Sequence, residues 1–255
     1  MQDMQESKKI IVTGAARRIG AALVSALAQD GWQVVLHYHQ RREEAEALCK
    51  SLSDKGYAIE AVSADLGLPD APQALIEAAS RTGPITALIN NASLFSYDCA
   101  ASVSAEQIAR HMAVNLTAPA LLTRALYEQL PAGRTGCVIN MLDAKLFGIN
   151  PDYFSYTLSK AAAQSLTQIS AQAYAPKLRV NAIAPGIVLP SGGQSQAEFE
   201  KSHKRNLLGQ GATIPEIVAT MRLLLSASSM TGEVVILDGG AHLRPPVRDV
   251  AFLEA

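Results

Sequence analysis

The chain has 255 residues, 49% of them hydrophobic, with a mean hydropathy of +0.12, which is enough apolar material for one large core. Its 22 Lys and Arg against 23 Asp and Glu leave a net charge of -1, so there is no electrostatic reason to expect a nucleic-acid partner. Cys49, Cys99 and Cys137 make an odd count without paired spacing; neither a disulfide framework nor a zinc site is expected, and a reducing, cytoplasmic setting suits them.

The chain opens on MQDMQES, residues 1 to 7, which is polar and acidic and reads as a frayed lead-in. It has the make-up of neither a signal peptide nor an anchor, and no apolar run nears the ~18 residues that a membrane span requires. Strands are expected at 9–13, 33–38, 58–63, 85–90, 136–141, 178–184 and 233–238, several of them apolar at successive positions, as suits strands covered on both faces. Helices are expected between them at about 18–30, 42–55, 70–82, 105–130, 152–175 and 214–227. This alternation predicts an α/β fold, a doubly wound (Rossmann-type) seven-stranded parallel sheet flanked by helices, occupying 9–255 as one domain after a disordered 1–8. The irregular stretch 186–213, rich in Gly, Ser and charge, is either a solvated connection or a substrate lid.

Polar residues gather where the strands end. After the first strand comes TGAARRIG, in which Gly14 and Gly20 bracket a turn opening a helix, a geometry that offers bare backbone and unpaired N–H groups to a pyrophosphate. Arg17 and Arg18 within it are either solvated charges or phosphate ligands. No acid follows the second strand, where a fold selecting NAD places one for the ribose 2′-OH. His39, Gln40, Arg41 and Arg42 stand there instead, and with Arg17 they predict a seat for a 2′-phosphate, hence NADPH. Asp65-Leu66 after the third strand could accept from an adenine amino group, and Asn90 to Ser93 after the fourth offer small side chains and close backbone approach; singly, each could also cap a turn. Asp143 follows the fifth strand, either capping a turn or serving chemistry. Tyr156 and Lys160 share one face of a helix, and an ammonium there would make the phenol easier to ionise. His37, His111, His203 and His242 show no metal-ligand spacing.

TGAARRIG, NNAS, Asn115 in VNLTAP, YTLSK, RVNAIAPG and the closing LDGG together resemble the short-chain dehydrogenase/reductase family, over about residues 9 to 240. The resemblance implies Tyr156 as proton donor, Lys160 binding the nicotinamide ribose and lowering the tyrosine pKa, and Asn115 holding a water of the proton relay. It assigns to the cofactor Gly14, Arg17, Ile19, Gly20, His37, Tyr38, His39, Gln40, Arg41, Asp65, Leu66, Asn91, Ala92, Ser93, Tyr156, Lys160, Pro185 and Gly186. Two departures stand out: Arg18 occupies the middle glycine position of the family's first motif, and Asp143 takes the place of its usual serine. Both, together with LHYH at 36–39 and NNASLF at 90–95, are similar to the pteridine reductase branch. That branch implies reduction of a ring C=N, with Asp143 supplying or relaying a proton to nitrogen, and a pterin-binding set of Arg17, Ser93, Phe95, Asp143 and Tyr156. Phe95 is then either core filling or the wall of a slot for a flat ring. The branch has a basic residue and then Ser after HYH, and this chain has Gln40 and Arg41.

The expectation is thus an NADPH-dependent pterin reductase, with a carbonyl or 3-oxoacyl thioester reductase as the alternative within the fold. A non-catalytic NADPH sensor is the alternative outside enzymes, and the intact Asn115, Tyr156 and Lys160 weigh against it. The family default is a homotetramer built through the long helices. The tail HLRPPVRDVAFLEA either reaches a neighbouring subunit's site or is a disordered end.

Overall fold

The computed structural model describes residues 8–190 and 194–252, so the expectation for residues 1 to 7 lies outside the described residues, as does that for 191–193 and 253–255. Seven strands, β1 (Lys9–Val12), β2 (Gln33–Tyr38), β3 (Ile59–Ser63), β4 (Ala87–Asn90), β5 (Gly136–Met141), β6 (Leu178–Pro185) and β7 (Val234–Leu237), form one sheet in the order β3-β2-β1-β4-β5-β6-β7. Every pairing is parallel. The order runs outward from β1 in both directions, so a topological switch lies between β1 and β4, where a ligand crevice forms beyond the strand ends.

The helices are α1 (Arg18–Gln29), α2 (Arg42–Ser53), α3 (Ala71–Ser80), α4 (Ala105–Met112), α5 (Ala118–Gln129), α6 (Phe154–Tyr174), α7 (Gln196–His203) and α8 (Ile214–Ser226). Strand periodicity explains the two core layers they cover. Ile10, Val12, Val34 and Leu36 point to one face and meet Leu23 and Leu27 of α1 and Ile217 and Met221 of α8. Ile11, Val35, Leu88 and Val138 point to the other and meet Leu75 of α3 and Leu122 and Leu126 of α5. Each of these fully buried leucines contributes roughly 1.5–3 kcal/mol by leaving water.

Two elements depart from expectation. The single helix expected over 105–130 is α4 and α5 joined by a π-helical turn, Ala113–Thr117, which contains Asn115. The stretch 186–213 is not wholly irregular: Ser195 accepts the Glu198 N–H while Glu198 reaches back to the Ser195 N–H, and this reciprocal cap starts α7 in a segment with no apolar face to announce it. The described part of the tail is not a disordered end, since residues 241–252 fold back onto their own chain through two short 3-10 turns, Ala241–Leu243 and Val250–Phe252.

Helix α6 carries Tyr156 and Lys160, and its start is fixed from a distance. Tyr153 precedes it in the left-handed region (φ 54) with no side-chain cap. Buried Asp98 supplies what is missing: its carboxylate accepts the Ser155 N–H at 2.9 Å and the Ser155 hydroxyl, and its carbonyl accepts the Phe154 N–H. Asp98→Ala leaves the buried Ser155 N–H and hydroxyl without an acceptor, and the expected loss of about 1–3 kcal/mol should appear as a lower urea midpoint at an unchanged m-value.

Candidate active site

The crevice beyond the strand ends has a volume of about 1030 Å³ and is lined by residues from the first turn, the ends of β2 to β6 and the C-terminal segment. At its cofactor end Gly14 has φ +60, and a Cβ there would lie 2.7 Å from the Ala92 Cα. The turn is thus pressed against the residues after β4. Thr13 fastens the two together: its hydroxyl accepts the Asn91 and Ala92 N–H groups at 2.9 and 3.0 Å. Asn91 returns the contact, donating its carboxamide N–H to the Thr13 and Gly14 carbonyls.

Arg18, at the position where the motif commonly has glycine, adopts the glycine-like conformation itself, with φ 56. Its guanidinium donates to the Pro190 carbonyl at 2.7 Å, a contact across the crevice that offsets the strained backbone. Arg17 is exposed on the crevice and pairs with no carboxylate among the described residues. His39, Gln40 and Arg41 line the crevice beside Ile19 and Tyr38, with His39 Nε2 3.6 Å from Asp65 and Arg41 Nη1 3.5 Å from Glu44. Arg42 does not join them: it turns along α2 to Glu46 at 2.8 Å, the stable i, i+4 choice for a residue already inside the helix. Asp65 takes the Gly67 N–H and keeps a place on the wall with Leu66, Ala92, Ser93, Pro185 and Gly186. His37 has a second role beside the one expected of it. Its ring is buried with both nitrogens engaged, Nδ1 accepting the Gly14 N–H at 3.1 Å and Nε2 facing the Ala64 carbonyl at 3.1 Å, so it supports the glycine turn while still bordering the crevice.

At the chemical end Asp143 caps a turn and also reaches Tyr156. One oxygen, Oδ1, accepts the Lys145 N–H at 2.8 Å and starts a 3-10 turn, Ala144–Phe147; the other, Oδ2, accepts the Tyr156 hydroxyl at 2.7 Å. Burial raises the Asp143 pKa, against the pull of the Lys145 N–H, the Tyr156 hydroxyl and the Lys160 charge. Lys160 Nζ donates to the Met141 carbonyl at 2.7 Å, and its pKa is lowered to about 8 by burial, with Asp143 opposing the shift. The phenol is not made easier to ionise as expected. Burial, then the charge of Asp143 and the hydrogen bond to it, hold the Tyr156 pKa well above its ordinary value. A protonated phenol beside a carboxyl of raised pKa is a proton store, and a reduction needs one.

Asn115 is buried in the π turn with its carboxamide fully used. Oδ1 accepts the Leu94 N–H, and Nδ2 donates to the Leu94 carbonyl and the Ser159 hydroxyl. It ties the residues after β4 to α6, and a small space of about 10 Å³, near the least that a water needs, lies between Asn90, Asn115 and Lys160. Phe95 is half exposed at the mouth, stacked on Tyr153 at 4.3 Å between ring centres and edge-on to Tyr156 at 4.7 Å, so it is not core filling. Sequence reasoning missed Thr13 and Asp98, which hold the backbone of distant segments, and Lys145 and Ser159, which hold Asp143 and Asn115 in place. It had the tail residues only as a question. Among the described residues no group of His, Cys, Asp and Glu could hold a metal ion, and no helix is long and apolar enough to cross a membrane.

The family model described as short chain dehydrogenase matches residues 8–210. The structure of FolM alternative dihydrofolate reductase 1 from Brucella canis, complexed with NADP, is similar at a TM-score of 0.90 and 40% identity, covering 95% of this chain and 96% of that one. The same protein from Brucella suis, also with NADP, gives 0.87 and 39% over 95% and 98%. Among curated relatives, 3beta-hydroxysteroid dehydrogenase 1 of Eggerthella lenta is 32% identical over 254 residues, 96% of this chain and 97% of its own.

His37 makes a prediction about acid stability. Burial lowers its pKa to about 4, outweighing the hydrogen bond to Ala64, against about 6.5 in an unfolded chain. Between those values the unfolded chain binds the proton more readily, so stability falls as pH drops through that window, by about 3 kcal/mol from this group. Urea midpoints measured from pH 7 to pH 4 should show the decline, and His37→Gln should remove that component of the slope while lowering stability at neutral pH.

Proposed function

Because the chain belongs to the short-chain dehydrogenase/reductase family, we propose that it is an NADPH-dependent reductase of pterins. It would take dihydropterins such as dihydrobiopterin or dihydromonapterin, and dihydrofolate, to their tetrahydro forms. The observation that carries this reading is the 2.7 Å bond from the Tyr156 hydroxyl to a half-buried aspartate, where the family's common pattern has a serine. The Brucella proteins, named as dihydrofolate reductases, support the same choice of substrate class.

The first turn fits a phosphorylated dinucleotide. Gly14 and Gly20 leave the backbone bare, Arg17 offers an uncommitted guanidinium, and no acid follows β2 to repel a 2′-phosphate. NADP is the cofactor held in both Brucella structures, and here Gly14, Arg17, His39, Gln40 and Arg41 would hold its phosphates, with Asp65, Ser93, Lys160, Pro185 and Gly186 along its length. When bound, NADPH supplies the hydride that a ring carbon accepts. Tyr156 and Asp143 hold the proton that the neighbouring ring nitrogen takes. Once that proton is given, negative charge rests on the phenol–carboxyl pair, and the Lys160 ammonium beneath it favours that state. Phe95 and Ser93 flank the place where a flat ring would lie. We place the enzyme in the cytosol, where Cys49, Cys99 and Cys137 stay free thiols, and as a homotetramer joined through the long helices, along which Leu158 and Ile169 of α6 stand exposed.

The test is NADPH oxidation against a panel of dihydrobiopterin, dihydromonapterin, dihydrofolate, folate and a simple diketone. At least one dihydropterin should be turned over in preference to the diketone. Asp143→Ser should lower kcat/KM for that pterin about 100-fold or more, as the loss of a positioned proton donor does. Turnover of the diketone alone, or an Asp143→Ser variant as active as the parent, would point instead to a ketone enzyme of the kind named among the relatives.

A further inference from the structure

The C-terminal segment lies over the chemical end of the crevice, and two sites on the loop before α6 hold it there. At the first, Gly148 meets Pro245 so closely that a Cβ on the glycine would lie 2.7 Å from the proline Cβ. The φ of Gly148 is -153°, outside the left-handed region that favours glycine, so it is the approach of the tail that leaves no room for a side chain there.

At the second, buried Asp152 receives the Arg248 guanidinium in a forked pair, Nε at 2.8 Å and Nη2 at 2.7 Å, and also the Asp249 N–H at 2.7 Å. The Asp152 side chain is 3% exposed, so this pair is sheltered on one side and is worth more than a surface ion pair. Lys145 links the clasp to the reacting groups. Its ammonium donates to the Asp152 carbonyl at 2.6 Å and lies 3.5 Å from Asp249, while its backbone N–H holds Asp143. Beyond the clasp, Phe252 packs on Tyr97 at 4.9 Å, with Arg248 over the same ring. Pro245, Pro246, Asp249 and Val250 consequently face the same space as Asp143 and Tyr156.

We propose that residues 244–252 are the outer wall of the substrate pocket, and that Gly148, Asp152 and Arg248 are positioning residues that set how tightly the substrate is held without touching the cofactor. The proposal rests on the pterin reading only for the identity of the ligand. The wall closes over a site that already contains its proton donors, so its loss weakens substrate binding in ground state and transition state alike and leaves the chemical step in place.

The experiment compares Arg248→Ala, Arg248→Lys and Gly148→Ala with the parent, using the dihydropterin that the panel identifies. Arg248→Ala and Gly148→Ala should each raise KM about tenfold with kcat within about twofold, and the Kd of NADPH, read from its fluorescence, should not move. Arg248→Lys should recover part of the KM, because an ammonium still pairs with Asp152 but not bidentately. In the parent protein loaded with NADP, adding the dihydropterin should slow backbone hydrogen exchange in 244–250; this measurement decides the matter even where a variant does not fold. An unchanged KM in both alanine variants, an NADPH Kd that moves in step with KM, or exchange unaffected by the pterin would overturn the proposal. If the parent reduces only the diketone, the pterin reading fails by itself, and the same measurements with that ketone test the wall.

Discussion

Burying a carboxyl, a phenol and an ammonium within one contact of one another is unfavourable unless every polar atom finds a partner, and the chemical end of this molecule is organised around that condition. Asp143 uses one oxygen for the Lys145 N–H and the other for Tyr156, and Lys160 is anchored on the Met141 carbonyl. Each contact comes from the end of β5 or from α6, so strand and helix must be fixed relative to each other within a few tenths of an ångström. Asp98 fixes where α6 begins, and Asn115 with Ser159 fixes the helix against the residues after β4. The shifted pKa values follow from the same arrangement. Burial dominates all three groups, pushing the two acids up and the amine down, which keeps protons where a reduction draws on them.

The cofactor end relies on preorganised backbone instead of buried charge. Thr13, Asn91 and His37 all use side-chain hydrogen bonds to brace one glycine turn, and none of those bonds needs a ligand to form. Arg17, His39 and Gln40 remain at the rim as the adjustable part. A rigid floor under a cationic rim suits a long, multiply charged molecule, because little ordering is left for the moment of binding.

The strands were legible in the sequence to within two residues because parallel strands covered on both faces must be apolar without interruption, and runs such as Val34-Val35-Leu36 allow little else. The glycine turn, the phenol and the lysine were legible as spacing, and Asp143 as a departure from spacing. Helix α7 was not, since its stability at the start comes from one capping pair in an otherwise polar stretch. The fastening residues were invisible for a different reason. Asp98 acts on Ser155, Thr13 on Asn91, and Asp152 on Arg248, and a contact between residues dozens of positions apart leaves no local pattern. His37 was chosen for its place in a motif, and what the motif did not disclose is that its ring also braces the glycine turn.

Arg18 joins the two lips of the crevice, reaching from the first turn to the Pro190 carbonyl while its own backbone sits in an unfavourable region. Opening the crevice therefore breaks a charge-assisted bond and at the same moment frees a strained residue to relax. These two contributions oppose each other, so parting the lips is less uphill than the bond alone would suggest. The arrangement resembles a spring-loaded catch, in which the bond across the crevice and the strain in the residue that makes it partly cancel.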